Sequence, residues 1–153
     1  MSGRGHTATN LLNSLPRAVA GGLSATIAFT LMMKFLAPAM IGHPMDIAAL
    51  LGTFTGLGTS AGIVMHFLLG SLGFAVGFLI VGPYLPGAVW LRGVIFMVGV
   101  WLIVGLIVMP ILGGGLFFGG PKEATAALGG HVVFGAILGT IARLPSRPID
   151  GTP

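Results

Sequence analysis

The sequence predicts an all-α, polytopic membrane protein, with four transmembrane helices packed as a bundle and one short interfacial helix. The 153 residues are 55% hydrophobic and only 7% charged, whereas an ordinary soluble domain has about 25% charged residues. No charged side chain occurs between Asp46 and Arg92, or between Arg92 and Lys122. Because a hydrocarbon core about 30 Å thick requires roughly 20 apolar residues, these runs are long enough to cross a bilayer.

The N-terminal part of the chain predicts a loose arm followed by a first span. Residues 1–14 are polar and carry many small side chains, which is typical of an arm without fixed structure. The first span is expected at 15–38, with Pro16 tolerated in its first turn. Its start imitates a secretory signal, but Pro38 stands inside the small-residue triplet where cleavage would occur. We therefore expect a retained helix.

The rest of the chain predicts one short helix and three more spans. "GHPMDIAALLG" at 42–52 is too short to cross a bilayer and is expected as an interfacial helix, with Asp46 favourable near its N-terminus. The turn "GPYLPG" at 82–87 separates two long apolar runs. The remaining spans are expected at 60–82, 88–112 and 121–142, followed by a short C-terminal tail at 143–153.

The distribution of basic residues predicts the orientation in the membrane. Four spans place both termini on one side, which would carry five of the seven basic residues: Arg4, Arg17, Arg92, Arg143 and Arg147. Since basic loops stay in the cytoplasm, both termini are expected there, in a bacterial cytoplasmic membrane. The expected membrane-interface anchors are Arg17, Lys34, Trp90, Arg92 and Arg143.

Several function classes are disfavoured by composition. The net charge of +4 is carried by scattered basic residues, whereas a nucleic-acid site needs them clustered on a face. The absence of cysteine excludes disulfides and thiolate metal sites. The eight methionines are scattered along the sequence, without the clustering of a copper–thioether site, and carboxylates are few, so no metal site is expected. No catalytic constellation is evident, and the protein is not expected to be an enzyme.

Two histidines stand out because each lies within an apolar span. His66 shares a helical face with four glycines, and His131 recurs at four-residue spacing with small residues. Small residues at such spacing let helices approach closely in lipid, so both imidazoles are expected to face protein. The predicted helix-packing residues are Gly62, Gly70, Gly73, Gly77, Gly135 and Gly139.

Three interpretations of the histidines are open. Each ring can act as a polar contact between helices. Alternatively, His66 and His131 could hold a haem b iron from opposite sides, with Lys34 or Lys122 near the propionates, although no haem-specific signature is present. The third possibility is a quinone, metal or proton-handling site that uses His43, Asp46 and His66. His66 and His131 are thus the candidate cofactor-binding residues.

The order of several short motifs resembles a known protein family. The motifs are His66-Phe67 with Gly70, Leu85-Pro86-Gly87, Arg92-Gly93, Pro110 with Gly115-Leu116-Phe117, and His131 with Gly135. In this order they resemble a domain-of-unknown-function family of small bacterial four-helix integral membrane proteins, over about residues 60–142. The resemblance implies four helices and the placement of the two histidines, and it implies no activity.

These observations predict a small structural or accessory subunit of a larger membrane complex, such as a respiratory or photosynthetic one. Its expected partners are the lipid bilayer and other membrane subunits, with no nucleic acid. The alternative is an electron-transfer membrane protein that binds haem or quinone through His66 and His131.

Overall fold

The protein is a multi-pass bundle of four long apolar helices, as predicted. The computed structural model describes residues 3–145, with side chains described from Leu12 onward. Within that range, four helices are long and apolar enough to cross a membrane. They are the first span, Leu12–Ile41, the second, Gly58–Tyr84, the third, Val89–Ile111, and the fourth, Pro121–Ile141. The largest differences from the expected bounds are in the first span.

Three of the spans are interrupted by a π-helical turn, and only the fourth is a continuous α-helix. The helix that contains the first span consists of Gly3–Leu31, a π turn at Met32–Leu36, and Ala37–Ile41. The second consists of Gly58–Leu68, a π turn at Leu69–Gly73, Phe74–Val81, and a 3-10 turn at Gly82–Tyr84. The third consists of Val89–Ile103, a π turn at Val104–Val108, and Met109–Ile111. Two further elements lie outside the spans, a short helix at Ile47–Thr55 and a 3-10 turn at Leu116–Gly119.

The N-terminal segment differs from the expected loose arm. The helix already begins at Gly3 and continues through Pro16. A proline inside a helix removes one backbone hydrogen bond, but the next turn is held in place because Ala18 is fully buried against the bundle. Beyond Ile141 the chain is non-helical as far as Pro145, and the remainder of the predicted tail lies outside the described residues.

The short helix packs against the second span. The Asp46 carboxylate accepts a hydrogen bond from the Ala49 amide at 2.8 Å, which caps the N-terminus. The Met45 amide donates to the Met33 carbonyl at 3.2 Å, so the chain folds back along the first span before this helix starts. A β carbon added at Gly62 would overlap the Ala48 carbonyl, so the short helix and the second span run antiparallel in close contact.

The four spans form an open arrangement. The first span packs against the second and fourth, and the fourth packs against the third. The second and third spans meet through their halves nearest the termini, where the rings of Phe78 and Phe96 lie 5.7 Å apart. Their other halves diverge, and the short helix partly fills the gap. We call the end of the bundle that carries Leu12 and Pro145 the inner end, and the opposite end the outer end.

Glycines allow the closest crossings. A β carbon added at Gly135 would lie 2.7 Å from the Gly93 carbonyl carbon, and one at Gly139 would lie 2.8 Å from the Trp90 Cα. Gly70 abuts Thr26, and Gly77 abuts the Phe96 ring. The partner glycine Gly93 was not among the predicted packing residues, because the glycines of the third span, Gly93, Gly99 and Gly105, are six residues apart and lack the three- or four-residue spacing of a helical face.

The prediction for Gly73 is wrong. This glycine is exposed, and a β carbon there would meet only the Leu69 side chain of the same π turn. A π turn contains an extra residue, which rotates the helix beyond it and moves Gly73 off the packing face.

Candidate functional site

An apolar cavity of about 100 Å³ lies inside the outer half of the bundle. All four spans contribute to its wall, together with the short helix and Phe118 from the last loop. His66 and His131 are the histidines that line it. The structure therefore brings the two candidate residues to one cavity, at similar depth.

His131 presents a free ring nitrogen to the cavity. The side chain is only 6% exposed, and Nδ1 lies 2.8 Å from the Ala127 carbonyl oxygen. A carbonyl can only accept, so Nδ1 carries the hydrogen and a neutral ring keeps its lone pair on Nε2. Every fully enclosed side-chain nitrogen or oxygen in the described residues has a hydrogen-bond partner. Nε2 of His131 has no hydrogen-bond partner among the described residues, so it is not fully enclosed. It borders open space, which for this ring is the cavity.

His66 is held by the Thr30 hydroxyl group on the first span. Its Nε2 lies 3.0 Å from Thr30 Oγ1. That hydroxyl donates to the Thr26 carbonyl at 2.7 Å, so it accepts from His66, whose neutral ring then keeps its lone pair on Nδ1. Thr26 in turn donates to the Gly22 carbonyl at 2.7 Å. Both histidines thus have one nitrogen fixed by protein and one available as an acceptor.

The residues present do not fit a haem between the histidines. The Phe29 ring packs against both imidazoles, at 6.2 Å from His66 and 5.3 Å from His131 between ring centroids. The cavity is also small, since sites for drug-sized ligands have volumes of about 300–1,000 Å³. A macrocycle would require displacement of Phe29, a residue that no sequence pattern singled out.

Four methionines that are scattered along the sequence also line the cavity. They are Met33, Met45, Met97 and Met109. Three of them are buried, with exposures of 3%, 0% and 6% for Met33, Met97 and Met109. The residues come from the first span, the segment after it, and the third span, so no local spacing in the sequence could have revealed their convergence.

The π turns lie at the level of the cavity. Met33, Gly70 and Val104 belong to the three π turns, and each of them lines the cavity. Pro38 and Pro110 follow two of these turns by two residues. Because proline lacks an amide hydrogen and clashes with the preceding turn, it favours a local widening of the helix. Such turns are frequent at functional sites.

Two phenylalanines close the outer end of the bundle in a strained conformation. Phe117 and Phe118 have φ values of 46° and 66°, a left-handed region that costs a residue with a side chain roughly 1–2 kcal/mol. Phe118 is buried with Met109 and Ala127, whereas Phe117 packs on Trp101 with ring centroids 5.2 Å apart. Burial of the Phe118 ring compensates for its backbone strain and covers the cavity.

A second, more open cleft of about 350 Å³ lies beside the cavity at the outer end. Lys34, Asp46 and Thr30 line it, and it shares His66, Met33 and Met45 with the cavity. The cleft and the cavity therefore adjoin at these shared residues.

His43 does not join Asp46 and His66, which both line the outer cleft, so the predicted set of three is not assembled into one site. His43 lies beside Glu123, with Nε2 3.6 Å from the carboxylate, while Asp46 caps the short helix. Among residues 12–145, no group of three or more His, Cys, Asp or Glu side chains could hold a metal ion.

The predicted interface anchors are placed at the surface of the bundle. Arg17, Trp90 and Arg143 are exposed near the inner end, where Arg92 Nε donates to the Gly87 carbonyl at 2.7 Å. Lys34 is exposed in the outer half, with its Nζ 5.9 Å from the Phe35 ring centroid. Their role as anchors stays a prediction.

Comparison with known proteins gives one assignment. No curated protein and no solved structure matches the chain. A model described as a family of unknown function, DUF6789, matches residues 12–149. This range includes all four spans and both cavity histidines. The match covers most of the chain, and the protein therefore belongs to the DUF6789 family.

Proposed function

We propose that the protein is a small structural subunit of a larger membrane complex, with no chemistry of its own, and that it docks through outward-facing glycines. The observation that carries this proposal is the open space around Gly99 and Gly129. A β carbon added at either position would meet no atom within 4 Å. Both glycines lie in the interior of helices, in the third and fourth spans.

Glycine in a helix interior is destabilising by roughly 0.5–1 kcal/mol relative to alanine. At Gly93 and Gly135 that cost is offset by close helix crossing within the bundle. At Gly99 and Gly129 no internal contact offsets it. In lipid, helices associate through small residues that allow close backbone approach. If a transmembrane helix of a partner subunit packs over these positions, that contact explains why they are occupied by glycine.

The proposed setting is a bacterial cytoplasmic membrane with both termini in the cytoplasm. The even number of spans puts the termini on one side. Arg17, Arg92 and Arg143 lie at that end of the bundle, and Lys34 and Lys122 lie in its other half. This asymmetry favours a cytoplasmic inner end by the positive-inside rule.

The test is extraction of the chain from its native cells in a mild detergent, followed by native gel electrophoresis and mass spectrometry. We expect a defined complex larger than the 15.5 kDa chain. Gly99→Leu and Gly129→Leu should release the chain from the complex without unfolding it. Ala20→Leu, an enlargement of an exposed residue on the first span, is the matched control. A wild-type chain that migrates alone would contradict the proposal.

A second candidate is binding of a lipophilic hydroquinone, favoured by two histidines that each keep an acceptor nitrogen and that line one apolar cavity. Neutral His66 and His131 can each accept a hydrogen bond from a hydroxyl group. Leu69 of the second span and Leu112, which follows the third span, also line the cavity. The flexible methionine side chains can adapt to enlarge the small space.

This second candidate is tested by ligand-induced stabilisation. A short-chain hydroquinone should raise the melting temperature of the purified protein, since a ligand that binds only the folded state stabilises it. His131→Leu should abolish the increase, whereas His43→Leu, at an exposed position outside the cavity, should retain it. An unchanged melting temperature for the wild-type protein would exclude this function.

A further inference from the structure

We propose that the cavity binds a soft monovalent metal ion, Cu(I), through the thioether sulfurs of Met33, Met45 and Met109 and through Nε2 of His131. The inference goes beyond the proposed subunit role and does not depend on it. It rests on the convergence of these four side chains on one cavity and on the unpartnered nitrogen of a buried histidine.

The four side chains meet around one turn of the fourth span, residues 127–131. A β carbon added at Gly130 would lie 3.0 Å from the Met33 methyl group. Met109 is buried in a cluster with Ala127, and Met45 packs against the same cluster. Each methionine has three rotatable side-chain bonds, so its sulfur can turn toward the His131 ring without movement of the backbone.

The chemistry of the wall selects the class of ion. Thioethers are soft ligands that select Cu(I), whereas Ca²⁺, Mg²⁺ and Mn²⁺ prefer carboxylate and carbonyl oxygens. No carboxylate is among the residues that line the cavity. The ligands are neutral, and the transfer of a charge into an apolar interior is costly. A monovalent ion therefore fits this site better than a divalent one.

The orientation of His131 is that of a metal ligand. Metal-binding histidines usually donate their second ring hydrogen to a carboxylate or a backbone carbonyl, which fixes the tautomer. The Nδ1 of His131 makes this bond to the Ala127 carbonyl at 2.8 Å. The remaining nitrogen borders the cavity, as a ligating nitrogen must.

The proposed route for the ion leads from the outer end through the adjoining cleft. The outer cleft shares Met33, Met45 and His66 with the cavity. An ion that enters beside Asp46, which lines the cleft, would meet two thioethers before it reaches His131. Met97 lines the cavity as well, and its replacement tests whether it is a further ligand of the ion.

The experiment measures Cu(I) binding by the purified full-length chain in detergent under anaerobic conditions. The chain competes with bathocuproine disulfonate for the ion, and the absorbance of the chelator complex reports the competition. We expect one Cu(I) per chain, with sulfur and nitrogen neighbours in X-ray absorption spectra. Met33→Leu, Met45→Leu and Met109→Leu should each weaken binding at least about tenfold, equivalent to about 1.4 kcal/mol.

Methionine-to-leucine changes conserve volume and usually cost less than 1.5 kcal/mol of stability, so the folded protein remains available for the measurement. Met40→Leu and Met65→Leu are the matched controls, because both residues are exposed on the outside of the bundle. They should bind Cu(I) as the wild type does, and His131→Gln should not. Sub-stoichiometric binding by the wild type, equal losses in the controls, or spectra without sulfur neighbours would each overturn the proposal.

Discussion

Gly93 of the third span and Gly135 of the fourth cross so closely that a β carbon on either would lie against the other's backbone. For Gly135 the distance would be 2.7 Å to both the Gly93 carbonyl carbon and the Val94 Cα. Backbone atoms cannot move aside as a flexible side chain can. The crossing therefore fixes the position of the fourth span, and with it the position of His131 on the cavity wall.

We expect Gly135→Ala to destabilise the protein by about 1–3 kcal/mol, the usual cost of forcing extra volume into a packed interior. Gly93→Ala should have a similar effect because the contact is reciprocal. The measurement is the unfolding free energy or the apparent melting temperature in detergent.

The same substitution at the open glycines provides the control. Gly129→Ala meets no atom within 4 Å and gains helix propensity, so the isolated chain should be as stable as the wild type or more stable. A large loss at Gly129 together with tolerance at Gly135 would contradict the described packing.

Thr30 contributes to the position of His66, and its hydroxyl can be removed at nearly constant volume. We expect Thr30→Val to cost about 0.6–1.7 kcal/mol, which spans the average and the largest values measured for hydrogen bonds between membrane helices. Loss of this acceptor also frees the His66 Nε2 hydrogen. The measurements are the melting temperature and the imidazole ¹⁵N shifts of His66, which report the tautomer.

Thr140→Val is the matched control for Thr30→Val. The Thr140 hydroxyl also donates within its own helix, to the Ala136 carbonyl at 2.7 Å, but it is exposed and has no histidine partner there. The difference between the two variants isolates the contact with His66. Equal stability losses would show that this contact contributes nothing.

The orientation of the bundle can be tested cleanly because the chain contains no cysteine. Tyr84 is 67% exposed at the inner end, and Leu116 is 64% exposed in the outer loop. In intact cells, a membrane-impermeant maleimide should label Leu116→Cys and should label Tyr84→Cys only after lysis. The reverse pattern would place the termini outside the cytoplasm.

The parts of the fold that depend on local pattern were predictable from the sequence. Apolar runs without charge indicated four spans, since a bilayer imposes a minimum helix length. The small residues spaced around His131 indicated a buried ring, and the ring is 6% exposed. In both cases the signal lies within one helix.

Other features depend on contacts between distant segments and left no local signal. Met33, Met45, Met97 and Met109 meet only after the first span, the segment that follows it and the third span have packed together. The π turn at Leu69–Gly73 displaced Gly73, although neither glycine spacing nor hydropathy distinguishes such a turn from a regular helix. The left-handed backbone at Phe118 opposes the ordinary preference of phenylalanine, and it persists because of the tertiary burial of the ring.

The backbone strain at Phe118 predicts that replacement by glycine is better tolerated than replacement by alanine, the reverse of the usual order. Both Phe118→Ala and Phe118→Gly should destabilise the protein by about 3–5 kcal/mol, because each removes a buried ring. At a φ of 66°, however, glycine is unstrained and alanine is not, so Phe118→Gly should be the more stable of the two.

Met109 is the matched control for Phe118. It is also buried but has an ordinary helical φ of −62°, so Met109→Gly should be less stable than Met109→Ala. Melting temperatures of the four variants measure both orders. If alanine were the better replacement at both positions, the backbone at Phe118 would not be left-handed, and the outer end of the cavity would be closed in another way.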